Sequence, residues 1–481
     1  MLFNSWQFAV FFPVVFALYW FMPQRFRIYL LFAASYYFYM SWNAKYVVLI
    51  LFTTIVSYFA AILLEKYRAA RKLILVIALV SCLGVLFVFK YFNFISETLV
   101  NFLNMFASIK LHPMTLKLLL PVGISFYTFQ TLSYVIDVYK GQEKAERNFI
   151  VYATFISFFP QLVAGPIERT KNLMPQIKNC GLLSFKYEQG VYGLKLILLG
   201  LFKKIAVADC LAIWVDGGFA KIESYSGFVL IILLGFFAVQ IYCDFSGYSD
   251  IARGCAKLLG IDLMINFRSP YFASSIREYW QRWHISLSTW FRDYVYIPLG
   301  GSRVGKIRHY INLLITFMIS GLWHGANITF LLWGAVHGLA QIIENFLNLN
   351  RRRNFLSVII VFAFTCLAWA FFRTQTLNEA IHIFSHLFDG ITNIKSYLYN
   401  GIQGIKSLHG NTQIPAALII SVAILDYLAV NYDDFAAWLK SKLASKNIIL
   451  RWSVYVLLIW VFIGSLGVLQ GDNTEFIYFQ F

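Results

Sequence analysis

Two histidines occupy sequence positions where an imidazole could do chemistry in apolar surroundings. His324 lies in the run Gly321–Asn327, between the apolar stretches 311–322 and 328–343. These stretches are too long together for one bilayer crossing, and the glycines allow the helix to break between them. Broken backbone at membrane depth needs cover from protein or a water-filled cavity, and an ionisable side chain there is a functional-site candidate. His324 is therefore predicted to act as a base or an acyl acceptor, with a satisfied buried histidine as the alternative.

His284 lies beside a stripe of aromatic and apolar residues. The stripe recurs at spacings of three and four, which predicts one face of a single helix: Trp280, Trp283, Leu287, Trp290 and Tyr294. Glu278 and Arg282 form an i,i+4 pair on another face. The same pattern is typical of an interfacial helix anchored by tryptophans, so chemistry and anchoring both remain open for His284. His337 lies between two glycines in an apolar span and is predicted to be a hydrogen-bonded packing residue.

The acidic candidates favour structural roles. The run 244–250, which contains Asp244 and Asp250, is predicted to cap a helix that begins near Tyr248. Asp209 follows Lys203 and Lys204 and is expected to pair with a nearby base or with the backbone. No histidine or cysteine has suitable spacing for a metal site, and no nucleotide-binding or serine-hydrolase fingerprint is present. The six cysteines show no CxxC pairing and are expected to be small buried hydrophobes.

The amino-acid composition indicates the class of protein whose elements must position these residues. Of 481 residues, 59% are hydrophobic and 13% charged, and the mean hydropathy is +0.66. So few charges cannot cover a soluble surface, which excludes a soluble enzyme, a disordered chain and a secreted disulfide scaffold. The net charge of +17 comes from basic residues in short loops. This pattern indicates topology signals and contact with anionic lipid, and no nucleic-acid partner is expected.

The apolar runs predict an all-α polytopic membrane protein. Candidate spans are 7–22, 28–42, 46–64, 73–89, 118–138, 149–164, 190–206, 225–243, 309–323, 328–345, 355–372, 415–431 and 452–470. Several are short enough to be tilted, re-entrant or interfacial, so about eleven true crossings are expected. The alternation of basic loops places both termini outside, with 351–353 and 440–451 inside. The charged, aromatic stretch 244–308 is expected to form amphipathic helices at or in the membrane surface.

Several motifs together resemble the membrane-bound O-acyltransferase (MBOAT) family, in its polysaccharide and peptidoglycan O-acetylation branch. They are 158–167 (FFPQLVAGPI), 242–250 (YCDFSGYSD), 278–294 (EYWQRWHISLSTWFRDY), 296–301 (YIPLGG), 321–327 (GLWHGAN) and 476–481 (FIYFQF). The resemblance covers nearly the whole chain and is densest from 120 to 340. It implies one membrane domain over 1–481, with N-terminal helices 1–115, a catalytic core 116–345 and C-terminal helices 346–481. It also implies tilted helices around a central funnel.

The same resemblance implies roles for individual residues. His324 matches the family's catalytic histidine, and His284 matches the second signature histidine. Six further residues fall inside the motifs and are candidate substrate-binding residues: Asp244, Trp283, Arg292, Asp293, Trp323 and Asn327. No metal and no bound cofactor are implied.

The implied activity is O-acetyl transfer across the membrane of a bacterium, in its cytoplasmic (inner) membrane. Acetyl-CoA, or a carrier-protein thioester, donates acetyl from the cytoplasm, and an extracytoplasmic polysaccharide such as alginate or peptidoglycan accepts it. Moving the anionic CoA through the apolar core would be costly, so only the acetyl group is expected to cross. An outer partner of the SGNH-hydrolase type is expected to complete the transfer to the polymer.

Other functions remain open from the sequence. D-alanyl or another acyl transfer to teichoic acid or another polymer is one alternative. A proton-coupled transporter or flippase with intramembrane histidines is another, although no inverted repeat is visible. A non-catalytic scaffold for a polysaccharide synthase is the third.

Overall fold

The fold is built from helices throughout the part of the chain that the structure describes. The computed structural model describes residues 1–106, 111–347, 354–410 and 412–431. The α-helices are α1 Trp6–Phe21, α2 Arg27–Met40, α3 Val47–Lys66, α4 Arg71–Leu86, α5 Phe92–Asn104, α6 Ile124–Tyr139, α7 Phe149–Ser157, α8 Thr170–Lys178, α9 Tyr187–Leu201, α10 Cys210–Phe219, α11 Phe228–Leu258, α12 Ile276–Arg282, α13 Ile285–Phe291, α14 Lys306–His324, α15 Ile328–Phe346, α16 Phe355–Arg373, α17 Leu377–His386, α18 Ile394–His409 and α19 Gln413–Asn431. Wider π-helical turns occur at Phe87–Tyr91, Phe202–Asp209 and Arg292–Tyr296.

Five of the described helical segments are long and apolar enough to cross a bilayer. They are Ala44–Lys66, Arg68–Asn104, Phe228–Leu258, Phe355–Arg373 and Gln413–Asn431. This agrees with a multi-pass membrane protein. The predicted loop 351–353, the loop 440–451, the span 452–470 and the motif 476–481 lie outside the described residues.

The described residues form two compact units. Unit 1 comprises Met1–Leu198, Ser249–Ile265 and Gly325–Asn327. In it, α3 packs against α4 and α6, and α2 packs against α7. Buried polar groups fasten its loops: Arg27 Nη1 donates to the Leu183 carbonyl at 2.6 Å, and Glu168 accepts hydrogen bonds from the backbone N–H of Met264 and from Asn172 Nδ2. A buried carbonyl or carboxylate needs such donors because water does not reach it.

Unit 2 comprises Leu199–Tyr248, Asn266–His324 and the described residues from Ile328 onward. Its hydrophobic core contains buried residues of α10, the first half of α11, α12, α15 and α16, joined by large buried aromatic side chains. Trp214, Trp283, Trp333 and Trp369 are all at most 1% exposed. Each buries an indole of high apolar area, so aromatic packing organises this unit.

Two local expectations are wrong. The tryptophan stripe does not lie on one helix, because the backbone breaks between α12 and α13, where His284 has φ +43°. No helix begins near Tyr248, because α11 runs unbroken from Phe228 to Leu258. One helix accommodates both the apolar run before residue 243 and the small residues Ser246, Gly247 and Ser249. The polar composition alone therefore predicted a helix start that does not exist.

The break at His324 is confirmed. Helix α14 ends at His324, and α15 begins at Ile328 after three residues. The two helices pack closely because glycines face backbone on both sides. A Cβ on Gly321 would collide with the carbonyl oxygen of Phe330, and a Cβ on Gly334 with that of Phe317. Small residues at a crossing permit this close approach.

Candidate functional site

His324 lies buried at the end of α14, with 3% of its surface exposed. Aromatic rings surround it edge to face: the ring centroids of Trp333 and Phe372 each lie 5.2 Å from the imidazole centroid. Trp333 comes from α15 and Phe372 from α16. Three helices therefore fix one imidazole in an environment of low polarity.

His284 lies in the short break between α12 and α13 and is fully buried. Its positive φ is uncommon for a residue with a Cβ and turns the chain sharply at this point. The ring of Phe245, on α11, meets the His284 ring edge to face at 4.6 Å. Burial lowers the pKa of the His284 imidazole, which lies outside the five candidate spans. His284 is therefore held as a neutral ring near pH 7.

Trp323 joins the two predicted histidines. Its ring centroid lies 4.9 Å from that of His324 and 6.0 Å from that of His284, and both contacts are steeply angled. Trp323 is itself 3% exposed. The structure thus places both predicted histidines in one buried cluster around a single indole.

Asn266 is a residue of this cluster that the sequence analysis missed. Its Oδ1 lies 3.2 Å from Nδ1 of His284 and accepts from the backbone N–H and the hydroxyl of Ser286. The carbonyl oxygen of Asn266 accepts the backbone N–H of Ile285 at 2.9 Å. The signal that could have found it is a lone asparagine in the polar stretch before the histidine motif, but nothing in its spacing pairs it with residue 284.

His337 extends the cluster on α15. Its ring contacts Trp333 at 4.9 Å, Trp280 at 5.1 Å and Phe364 at 5.4 Å, and it stacks on Tyr279. The expectation of a packing histidine is confirmed. The expected hydrogen bond is not found: neither ring nitrogen of His337 has a partner among the residues the structure describes.

Trp283 and Asp244 lie in the core of unit 2. Trp283 packs against Phe267 at 5.0 Å and Trp369 at 5.1 Å. Asp244, on α11, forms an ion pair at 2.7 Å with Lys204, which also pairs with Asp209 at 2.7 Å. The expected pairing of Asp209 with a nearby base is therefore confirmed, and Asp244 takes part in the same buried ion cluster.

The remaining predicted substrate-binding residues are Arg292, Asp293 and Asn327. Arg292 and Asp293 pair with each other at 2.8 Å on an exposed part of the π-helical turn. Asn327 lies half-buried in the segment that follows His324. Glu278 and Arg282 form the predicted i,i+4 ion pair at 2.7 Å.

This arrangement suits proton or acyl transfer. A neutral imidazole has one nitrogen with a free lone pair, which can accept a proton or attack a carbonyl carbon. Removal from water strengthens the interaction of such a group with developing charge. The described residues hold no group of three histidine, cysteine or acidic side chains arranged for a metal ion.

Comparison with known proteins agrees with this chemistry. The sequence model of the MBOAT, membrane-bound O-acyltransferase family, matches residues 146–378, which contain all three clustered histidines. The "probable alginate O-acetylase" of Pseudomonas aeruginosa is 40% identical over 397 residues, covering 81% of this chain and 75% of the relative.

Two other relatives act on different polymers. The "peptidoglycan O-acetyltransferase" of Helicobacter pylori is 38% identical over 382 residues, covering 73% of this chain and 71% of the relative. The "teichoic acid D-alanyltransferase" of Streptococcus thermophilus is 32% identical over 245 residues, covering 48% of this chain and 58% of the relative. The similarity to the two acetylating relatives thus extends over much more of this chain.

Proposed function

The chain belongs to the membrane-bound O-acyltransferase family and is an acyltransferase, and from this premise we propose that it transfers acetyl groups for O-acetylation of an extracytoplasmic polysaccharide. The observation that carries the proposal is the burial of His324 and His284 around Trp323. The acceptor would be an alginate-like exopolysaccharide or peptidoglycan. The wider coverage by the two acetylating relatives favours acetyl over D-alanyl transfer.

In the proposed reaction His324 is the catalytic residue. The C–S bond of the thioester breaks, and a C–O bond forms between the acetyl carbon and an acceptor hydroxyl. If His324 acts as a base, it takes the hydroxyl proton and passes it to the departing thiolate. If it acts as a nucleophile, an acyl-histidine forms first, and the hydroxyl then displaces the imidazole. His284, which also contacts Trp323, is the second histidine of this site.

The donor and the partner follow from the location of the reactants. Acetyl-CoA is the proposed donor, with a carrier-protein thioester as the second form of the same chemistry. The proposed partner is an extracytoplasmic SGNH-type acetyltransferase that receives the acetyl group and passes it to the polymer. The proposed location is the inner membrane of a bacterium, with about eleven crossings around a central funnel and both termini outside. The alternation of basic loops supports this orientation.

Purified protein can test the proposal directly. Wild type, His324→Ala and His324→Gln would each receive acetyl-CoA labelled in the acetyl group, with and without an SGNH partner. We expect wild type to release CoA and both variants to lose at least about 10³-fold in rate, because knocking out an essential catalytic residue costs this much or more. His112→Ala, which changes an exposed loop histidine, is the matched control.

The outcomes distinguish the mechanisms. Label that stays on His324 of the wild type supports an acyl-histidine intermediate, whereas CoA release without protein-bound label supports a base. Unchanged turnover by the folded His324 variants would contradict the role of His324. Substrate uptake or flipping without any acyl donor would instead support a transporter.

A further inference from the structure

The environment of Asn266 determines which of its side-chain atoms faces His284. The backbone N–H of Ser286 can only donate, and it lies 3.2 Å from the same Asn266 atom that lies 3.2 Å from His284 Nδ1. If the amide nitrogen of Asn266 occupied that place, two hydrogen-bond donors would face each other. The atom is therefore the oxygen, and the hydroxyl of Ser286 also donates to it at 2.9 Å.

An oxygen that faces Nδ1 decides the tautomer of the ring. An amide oxygen only accepts hydrogen bonds, so Nδ1 must carry the proton for the contact to be favourable. In a neutral imidazole the other nitrogen, Nε2, then keeps its lone pair. Both residues are buried, so water cannot supply a substitute partner for Nδ1.

We infer that Asn266 is a positioning residue that holds His284 as the neutral Nδ1–H tautomer and so presents Nε2 as the acceptor during acyl transfer. This inference rests on the proposed function. Orientation of a working histidine by an oxygen on its other nitrogen is a general device in enzymes and metal sites.

The backbone around His284 is arranged for the same purpose. The N–H of Ile285 donates to the carbonyl oxygen of Asn266. The asparagine therefore holds the backbone just after His284 as well as the His284 ring. A non-glycine residue at φ +43° carries a conformational cost, which persists only where surrounding contacts impose it. Such strain is concentrated at functional sites, where it aims a side chain.

Kinetics of three variants would test the inference. Asn266→Ala removes the oxygen, and we expect kcat to fall about 10- to 100-fold with KM unchanged, the range for loss of a group that orients a working histidine. Asn266→Asp keeps an oxygen on Nδ1 and should restore part of kcat. Its negative charge favours the imidazolium, so the acid limb of the pH–rate profile should move to higher pH. Ser286→Ala removes one donor to Oδ1 and leaves the contact with His284, so its kcat should fall less than that of Asn266→Ala.

Equal kcat values and superimposable pH–rate profiles for wild type, Asn266→Ala and Asn266→Asp would overturn the inference. A second measurement does not depend on turnover. ¹⁵N NMR of histidine-labelled wild type in nanodiscs, with the His284 signals assigned through His284→Gln, reports the tautomer. We expect a protonated Nδ1 and an unprotonated Nε2, and the opposite tautomer would also overturn the inference. If wild type transfers no acetyl from any donor, the proposed function fails while the NMR result still decides the tautomer.

Discussion

The imidazole of His324 meets the indole of Trp333 edge to face, with 5.2 Å between the ring centroids and 87° between the ring planes. Trp333 cannot move away, because it stacks on Trp369 at 5.6 Å and contacts His337 at 4.9 Å on its own helix. The position of the His324 ring therefore depends on a tryptophan that is fully buried. An edge-to-face contact of this kind also favours one orientation of the imidazole.

Truncation of this indole should disturb catalysis more than binding. We expect Trp333→Ala to lower kcat about 100-fold, since a displacement of about 1 Å in a reacting group can cost that much. Trp333→Phe keeps an aromatic ring beside His324 and should retain more activity. Steady-state kinetics with acetyl-CoA would measure both, and Trp6→Ala, at an exposed tryptophan, is the control. An unchanged kcat in Trp333→Ala would contradict this role.

The crossing of α14 and α15 should tolerate no added methyl group. In Gly334→Ala the new Cβ would collide with the carbonyl oxygen of Phe317, so we expect a loss of about 1–3 kcal/mol or more in unfolding free energy. Gly235→Ala is the matched control, because that helical glycine has open space around it and alanine favours helix by up to about 1 kcal/mol. Thermal unfolding in detergent should show a lower Tm for Gly334→Ala alone.

Glu168 should make stability depend on pH. Burial raises its pKa from an ordinary 4.5 to about 7, although the bonds from Met264 and Asn172 oppose this shift. Because the folded state binds the proton more tightly than the unfolded state, this group stabilises the fold most at low pH. Its contribution falls as pH rises from about 4.5 through 7.

A comparison of Tm between pH 5 and pH 8 would measure this contribution. Glu168→Gln is neutral at every pH and should remove the part of the slope that Glu168 causes. Parallel curves for wild type and variant would show that the carboxyl does not titrate in this range. The exposed Glu188 offers a matched control, Glu188→Gln, for the loss of an acidic side chain.

The ion cluster of unit 2 should be sensitive to the loss of Lys204, the cation that both aspartates contact. Lys204 pairs with both Asp209 and Asp244, and all three side chains are at most 8% exposed. Lys204→Met would remove the ammonium that both buried carboxylates contact, and removal of one partner from a buried pair costs about 3–5 kcal/mol. Denaturant or thermal unfolding should report this loss, while Lys221→Met at an exposed site should have little effect. A stable Lys204→Met variant would indicate that another group neutralises the aspartates.

Composition and motif spacing predicted the membrane class and the break after His324, and they singled out the two histidines that the structure brings to one indole. Each of these properties depends on neighbouring residues or on the average composition, so it can be predicted from a single sequence. The apolar runs on either side of residue 324 and the adjacent glycines were sufficient for the break. The Glu278–Arg282 pair also depends only on helical spacing.

The failed expectations concern contacts between distant segments. A spacing of three and four continues across Trp283 and His284, yet the chain turns there because Asn266 bonds to the backbone beyond the turn. Asp244 looked like a cap because the ammonium of Lys204, forty residues earlier, is invisible in local sequence. Asn266 was missed for the same reason: its partner lies eighteen residues later in the chain.

The glycine contacts between α14 and α15 also determine how the site can move. With Gly321 and Gly334 each against the backbone of the other helix, a rotation or one-turn slide of either helix would drive main-chain atoms into each other. Helices α14 and α15 therefore move as one rigid body, and His324 and Trp333 move with them. A conformational change that altered access to His324 would then have to occur in segments packed around these two helices, while the geometry between the His324 ring and Trp333 stayed constant.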